Sequence, residues 1–199
     1  ASFTLSQIFG QEKITVIRLD SNPIIKPSML KGNDGQNING PSLIKVPDWI
    51  RNPLGKYYLY FAHHSGKYIR LAYANDVKGP WKIHENGTLK MEECICNFKS
   101  KRLSGFRHIA SPDVLVDSKK KELVMYFHCP VYNGGPDSLD YYPQVTLRAI
   151  SKNGIDFKPE KEILGNSYFR VFKWGDYYYA IARAGLFYRS KDGISNFER

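Results

Sequence analysis

The sequence of 199 residues lacks any long hydrophobic run. A membrane-spanning helix needs about 20 consecutive apolar residues, and no segment approaches that length, so a membrane is not expected as a partner. The N-terminal segment, residues 1–13, lacks the charged start and the long apolar centre of a signal peptide. Segments with a helical spacing of apolar residues are also missing, which argues against a helical domain.

Cysteine is scarce, with Cys94, Cys96 and Cys129 as the complete set. Their number is odd, and Cys94 and Cys96 are too close together to match the usual zinc-binding pairs. We interpret all three as free thiols, which favours a cytoplasmic over a secreted location. Breakdown of polysaccharides outside cells is the competing consideration.

Acidic residues are fewer than basic ones, and the net charge is +10. Clustered positive charge attracts nucleic acid, but here the basic residues are scattered through turn-like segments and no nucleic-acid-binding motif is present. Nucleic acid is therefore not the expected partner. A solvated basic surface or attraction to an acidic polysaccharide accounts for the charge as well.

What the sequence does contain is an internal repeat. Three segments share one plan, with a short inner strand, a tyrosine-rich second strand that ends in basic residues, and a third strand that leads into a polar turn and an aromatic residue. The first copy reads NGPSLIKV, KYYLYFAHH and YIRLAYANDVKGPW, the second ASPDVLVD, ELVMYFHCP and VTLRAISKNGIDF, and the third SYFRVFKW, DYYYAIARAG and GLFYRSKDGISNF.

Equivalent positions recur in the three copies. They are a small residue at the end of the third strand and an aromatic residue after the turn: Ala74, Ser151 and Ser190, and Trp81, Phe157 and Phe197. The Asn-Gly and Asp-Gly pairs of the last two turns supply the positive φ that tight turns require. The first and second copies are further apart than the second and third, and we assign the difference to two extra segments, residues 84–107 and 129–143.

Repeated antiparallel units of about 40 residues are typical of propeller blades. A β-sandwich also has short strands at regular spacing, but the matched positions favour the propeller. We predict an all-β fold, with residues 1–199 as one partial propeller domain and blades near residues 37–83, 108–160 and 166–199. Because three blades cannot close a ring, we expect further blades beyond Arg199 or self-association through the open blade edges.

Four segments carry a resemblance to a known superfamily: NINGPSLIKVPDWI, GKYYLYFAHHSGKYIRLAYANDVKGPW, HIASPDVLVD and VMYFH. They resemble the N-terminal blades of the five-bladed propeller glycosidases, the arabinanase-like superfamily that includes glycoside hydrolase families 43 and 117. The resemblance covers residues 37–197 and implies a carbohydrate partner and acid/base hydrolysis of a glycosidic bond. It implies no required cofactor, and it leaves open a divalent cation such as Ca²⁺ on the propeller axis.

Enzymes of family 43 carry two of their three catalytic acids in Asp-Pro steps of the inner strands. This sequence departs from that pattern, because Gly40–Pro41 and Ser111–Pro112 stand in those places. The nearby carboxylates are Asp113 and Asp34, and we predict both as catalytic, with Asp113 as the first choice. A turn cap or an ion pair with arginine is the alternative for Asp113, and an Asx turn is the alternative for Asp34. In family 117 a histidine is implicated as the acid.

Histidine and arginine recur near the ends of the strands. An imidazole donates, accepts or binds metal near neutral pH, and guanidinium groups bind carboxylates in a bidentate manner, so acidic or sulfated sugars fit this set. The predicted substrate-binding residues are Asn39, His63, His64, Arg107, His108, His128, Arg170 and Arg183. We therefore predict a glycoside hydrolase, with a non-catalytic carbohydrate-binding propeller and an inactive partial chain as alternatives.

Overall fold

The computed structural model describes residues 15–96, 107–131 and 143–199. Regular structure in these ranges consists of β-strands and short 3₁₀ turns. The strands are β1 Asn39–Lys45, β2 Tyr57–Ala62, β3 Tyr68–Ala74, β4 Lys82–Lys90, β5 Ala110–Asp117, β6 Glu122–Pro130, β7 Gln144–Ser151, β8 Lys158–Pro159, β9 Gly165–Asn166, β10 Arg170–Trp174, β11 Tyr177–Ala182 and β12 Leu186–Ser190. The 3₁₀ turns are Pro27–Met29, Gly32–Gln36, Met91–Glu93 and Arg183–Gly185.

The strands of the described residues form three antiparallel sheets. The first has the order β1-β2-β3-β4, the second β5-β6-β7-β8 with β9 also paired to β7, and the third β10-β11-β12. The all-β prediction is confirmed, and each sheet contains the three strands expected from one copy of the repeat. Within the described ranges, no helical segment has the length and apolar character needed to cross a membrane.

One predicted boundary is wrong, because part of the first extra segment belongs to a sheet. Residues 82–90 form β4, which pairs with β3. The Asn86–Gly87 pair is typical of a turn, but Gly87 has a φ of +63° and lies where the pairing register shifts in a bulge. The remainder of the two predicted extra segments falls largely on residues 97–106 and 132–142, which lie outside the described residues.

Strand pairing confirms the equivalent positions that the repeat predicted. Three small residues end the third strands, opposite the second strands: Ala74 opposite Tyr57, Ser151 opposite Leu123 and Ser190 opposite Tyr178. The inner strands provide a second equivalent set: Ser42 opposite Tyr60, Asp113 opposite Tyr126 and Arg170 opposite Ile181. Each sheet can therefore be compared with the next, position by position.

The hydrophobic core lies between the sheets. Tyr60, Leu71 and Met125 belong to a cluster that joins the first and second sheets, whereas Tyr126 and Val171 belong to one that joins the second and third. Central strands buried on both faces read as nearly continuous apolar runs, which explains the segments YYLYFA and LVMYFHC. Burial of one such side chain contributes about 1.5–3 kcal/mol, so packing between sheets dominates the stability of this fold.

The same backbone contact joins both pairs of neighbouring sheets. The hydroxyl of Ser42 accepts a hydrogen bond from the N–H of Val114 at 2.9 Å. At the equivalent position, Asp113 Oδ2 accepts one from the N–H of Val171 at 2.7 Å. Successive sheets thus pack through equivalent positions of the repeat, as repeated blades do.

Candidate functional site

The inner strands β1, β5 and β10 begin at the end of the sheets where β2, β6 and β11 finish. We call this end the hairpin end, and it includes Asn39, Ala110 and Arg170 together with His63 and Arg183. Antiparallel strands joined in sequence place these segments side by side. Most of the predicted binding residues therefore belong to one end of the molecule.

Left-handed backbone recurs at one position of the three inner segments. Gly40, Ser111 and Tyr168 have φ values of +61°, +51° and +69°, and each precedes the equivalent inner-strand position by two residues. A Cβ atom added to Gly40 would lie 2.9 Å from Ser111 Cα, so the inner strands converge here. Non-glycine residues in this conformation carry strain, which clusters at functional sites. Gly40 and Ser111 also occupy the places of the Asp-Pro acids, and neither carries a carboxylate.

A row of four rings crosses the hairpin end. His64 stacks with His108 at 6.4 Å between ring centroids, and His108 meets His128 edge-on at 5.5 Å. The row ends with Tyr168, whose ring lies 4.2 Å from that of His128. Because His64, His128 and Tyr168 come from the loop after β2, from β6 and from the segment before β10, the row joins all three units of the repeat.

His128 is the most enclosed ring of this row, with 1% of its surface exposed. Neither of its ring nitrogens has a hydrogen-bond partner among the described residues. Burial lowers the pKa of His128 to about 3, helped by the charges of nearby His108, His64, Arg170 and Arg183. The imidazole is therefore neutral at neutral pH, with one N–H donor and one acceptor nitrogen. A buried unpaired polar group costs about 1–3 kcal/mol and calls for an explanation such as ligand binding.

The two predicted arginines of the third sheet differ in their surroundings. Arg170 Nη1 donates to the carbonyl oxygens of Ser111 at 3.3 Å and Pro112 at 3.1 Å, so it fixes β10 to the neighbouring inner strand. Arg183 is exposed, and its backbone N–H donates to the carbonyl of Ser167 at 2.8 Å. This bond holds the β11–β12 loop beside Tyr168.

Asp113 contacts the third sheet, because its carboxylate accepts a hydrogen bond from the backbone N–H of Val171. Burial raises the pKa of the Asp113 carboxyl, while the hydrogen bond from Val171 and the charge of Arg170 act in the opposite direction. Ser42 makes the equivalent contact without a carboxylate, so the contact itself is structural. Catalysis by Asp113 stays a prediction.

Asp34 belongs to a separate network in front of the first sheet. Its Oδ1 accepts a hydrogen bond from Arg70 Nη2 at 3.0 Å, and its Oδ2 accepts one from the hydroxyl of Tyr68. Arg70 is 2% exposed, and a buried arginine requires such an anionic partner. Burial and the charge of Arg70 lower the pKa of His63, and Asp34 opposes that effect. The contacts of Asp34 and Asp113 share no residue, so these contacts do not join them as a catalytic pair.

Asn37 is a residue that the sequence did not single out. Its side-chain oxygen accepts hydrogen bonds from Asn39 Nδ2 at 2.6 Å and from the backbone N–H of His64 at 2.8 Å. The β2–β3 loop, which contains His64, is also held by Lys67, whose Nζ donates a hydrogen bond to the carbonyl of Arg107 at 3.0 Å. Asn37 thus positions two predicted binding residues, and only its place in an asparagine-rich loop hinted at it.

A metal site was left open by the sequence, and the described residues offer no donor set for one. Within residues 15–96, 107–131 and 143–199, no group of three or more His, Cys, Asp or Glu side chains is arranged to hold a metal ion. The histidine row does not change this, since its members contact each other through their rings. The axial cation stays a prediction that the described residues do not test.

Comparison with known proteins places the chain by its fold. No family model matches the sequence. An uncharacterised protein of Acanthamoeba polyphaga mimivirus is 37% identical over 198 residues, which cover 94% of this chain and 54% of that protein. The chain thus spans about half the length of this curated relative.

Solved structures give a more specific answer on the fold. An exo-β-1,3-galactanase from Phanerochaete chrysosporium, solved with β-1,3-galactotriose, matches 81% of this chain and 37% of its own, with a TM-score of 0.54 and 17% identity. An α-L-arabinofuranosidase of glycoside hydrolase family 43 from Clostridium thermocellum matches 80% and 49%, with a TM-score of 0.50 and 15% identity. The all-β fold of the described residues is similar to part of the propeller fold of these glycosidases. At these identities the likeness shows the fold alone, and function must be argued from the site.

Proposed function

We propose that this chain binds a carbohydrate at the hairpin end of its sheets. The observation that carries the proposal is the row of His64, His108, His128 and Tyr168. It includes the buried imidazole of His128, which has no hydrogen-bond partner among the described residues. A sugar hydroxyl both donates and accepts, so it complements a neutral imidazole. Aromatic rings such as that of Tyr168 offer the apolar surface on which a sugar ring packs.

The backbone of the hairpin end supports the same proposal. Ser111, Tyr168 and Ala184 have φ values of +51°, +69° and +64°, although none of them is glycine. Each left-handed residue of this kind costs about 1–3 kcal/mol and persists where the surrounding structure holds it for a purpose. The family 43 fold is also found in an enzyme solved with β-1,3-galactotriose, and this analogy favours a saccharide as the ligand class.

Binding without cleavage is the function that the described residues support best. Hydrolysis with acid/base catalysis uses two carboxyl groups about 5–9.5 Å apart on either side of the glycosidic bond. Gly40 and Ser111 occupy the places of the family's Asp-Pro acids. Asp34 is engaged by Arg70 and Tyr68, and Asp113 accepts the backbone bond from Val171.

Hydrolysis is the second candidate, and one observation favours it. Burial raises the pKa of Asp113, and a raised carboxyl pKa suits a general acid near neutral pH. In that case Asp113→Asn would abolish release of reducing ends. The first candidate predicts instead that the wild-type chain binds saccharides without cleaving them.

Calorimetric titration of neutral and acidic oligosaccharides, together with an assay for reducing ends, tests the proposal. We expect Tyr168→Ala to lose saccharide binding, whereas Tyr177→Ala should retain it. Tyr177 is the matched control because it is partly buried, as Tyr168 is. It lies at the start of β11, which is at the other end of the third sheet from Tyr168. Absence of binding to every saccharide, or equal loss in both variants, would contradict the proposal. Cleavage by the wild type would favour the second candidate.

A further inference from the structure

We infer that the saccharide bound at the hairpin end is anionic, with a carboxylate or sulfate group that pairs with Arg183. This inference rests on the proposed function and specifies the chemical class of its ligand. Arg183 follows β11, and the bond from its N–H to the carbonyl of Ser167 keeps it next to Tyr168. Its charge is also close enough to act on buried His128.

The loop that carries Arg183 has a defined shape. Ala184 and Gly185 have φ values of +64° and +71°, so the chain turns sharply directly after Arg183. A left-handed alanine is unfavourable and requires support from its surroundings. The side chain of Arg183 is exposed, and none of the described residues forms an ion pair with it.

Two described carboxylates near this end already have partners. Asp34 is paired with buried Arg70, and Asp113 accepts the hydrogen bond from the N–H of Val171. Arg183 and exposed Lys67 are not in any ion pair among the described residues. Within the described part of this end, Arg183 and Lys67 are therefore positive charges without an ion-pair partner, and such charges attract anions.

Two basic residues at the opposite end of the sheets have partners of their own. Arg189 pairs with Glu198 at 4.0 Å and lies 4.8 Å from the ring centroid of Tyr177. Lys152 pairs with Glu122 at 3.1 Å. Arg189 and Lys152 thus have carboxylate or aromatic partners, whereas Arg183 offers its planar fork to a ligand. That fork matches the paired oxygens of carboxylate and sulfate.

Matched disaccharides test this inference by calorimetry at constant ionic strength. The probes are α-1,4-galactobiose, the corresponding digalacturonate and a sulfated galactobiose. We expect the wild type to bind at least one acidic sugar about tenfold more tightly than the neutral one, which corresponds to about 1.4 kcal/mol. The preferred acidic sugar identifies the anionic group.

Arg183→Gln should remove the preference, so that the variant binds the acidic and the neutral sugar with equal affinity. Arg189→Gln is the control, because it removes the same charge from the other end of the same sheet. Equal affinity of the wild type for acidic and neutral sugars, or equal effects of both substitutions, would overturn the inference and leave the proposed function in place. Absence of binding to all three sugars would overturn both.

Discussion

The hydroxyl of Tyr60 donates a hydrogen bond of 2.9 Å to the carbonyl of Gly154, across the interface between the first and second sheets. Tyr126 makes the equivalent bond to the carbonyl of Gly193, across the next interface. Both glycines lie in turns with related sequences, SKNGI and SKDGI. The repeat therefore encodes the interfaces between sheets as well as the sheets themselves.

The first prediction concerns the close packing around Gly154. Its φ is +76°, and an added Cβ would lie 2.8 Å from Leu123 Cδ1 and 3.0 Å from the hydroxyl of Tyr60. Gly175 has a φ of +57° with no atom within 4 Å of such a Cβ. Both alanine variants bear the left-handed backbone cost, but Gly154→Ala should lose about 1–3 kcal/mol more because of overpacking. Urea unfolding measures the difference, and equal losses would contradict this account of the interface.

The second prediction separates a structural from a catalytic role of Asp113. Asp113→Asn keeps an acceptor for the N–H of Val171 and should change the free energy of unfolding little, whereas Asp113→Val should lower it by about 1–3 kcal/mol because that N–H loses its partner. Ser42→Ala, at the equivalent position, should also be destabilising. If the chain cleaves a saccharide and Asp113→Asn abolishes cleavage without loss of stability, the catalytic role is established instead.

The third prediction concerns acid stability. The pKa of His128 is about 3 in the folded protein, compared with about 6.5 for an unperturbed histidine. Below pH 6.5 the unfolded chain binds a proton at this residue that the folded chain does not. The free energy of unfolding should therefore fall as the pH drops from about 6.5 towards 3, by up to about 1.4 kcal/mol per pH unit. His128→Leu should reduce this slope in urea unfolding, and parallel pH curves for both proteins would contradict it.

The fourth prediction concerns the outer face of the third sheet. Ile181 occupies the position of Tyr60 and Tyr126 but is 47% exposed, and Phe187 is 49% exposed beside Tyr179. Exposed apolar patches favour association, so we expect the protein to self-associate with rising concentration. Phe187→Lys should weaken association in sedimentation velocity, whereas Val77→Lys, at an exposed apolar residue of the first sheet's loop, should not. Equal effects would argue against this face.

The strands were predictable from the sequence because their local and global signals agree. Tyrosine-rich and β-branched runs favour strands, and the repeat aligned the three copies without knowledge of the structure. β4 is not predicted by the repeat, because a fourth strand is not part of the plan that the three copies share, and residues 84–107 are therefore assigned to an extra segment. In the structure, Gly87 lies in a bulge of this strand.

The site was less predictable, since side-chain direction depends on register. A bulge separates Ala110 from Asp113, and a shift of one residue sends a side chain to the opposite face of a sheet. The sequence therefore could not tell that Asp113 contacts the third sheet. Tyr168 could have been found, because it aligns with Gly40 and Ser111 in the repeat. Asn37 could not, because its partners Asn39 and His64 depend on the shape of a loop.

The most direct test of carbohydrate binding is a nuclear magnetic resonance titration of the isotope-labelled chain with the oligosaccharide that binds most tightly. We predict that amide shift changes will concentrate at the hairpin end, at Ser111, Tyr168 and Ala184, and that Gly175 at the other end will stay unchanged. Changes centred on Gly175, or no changes at saturating sugar, would contradict the claim that this end of the sheets is a carbohydrate site.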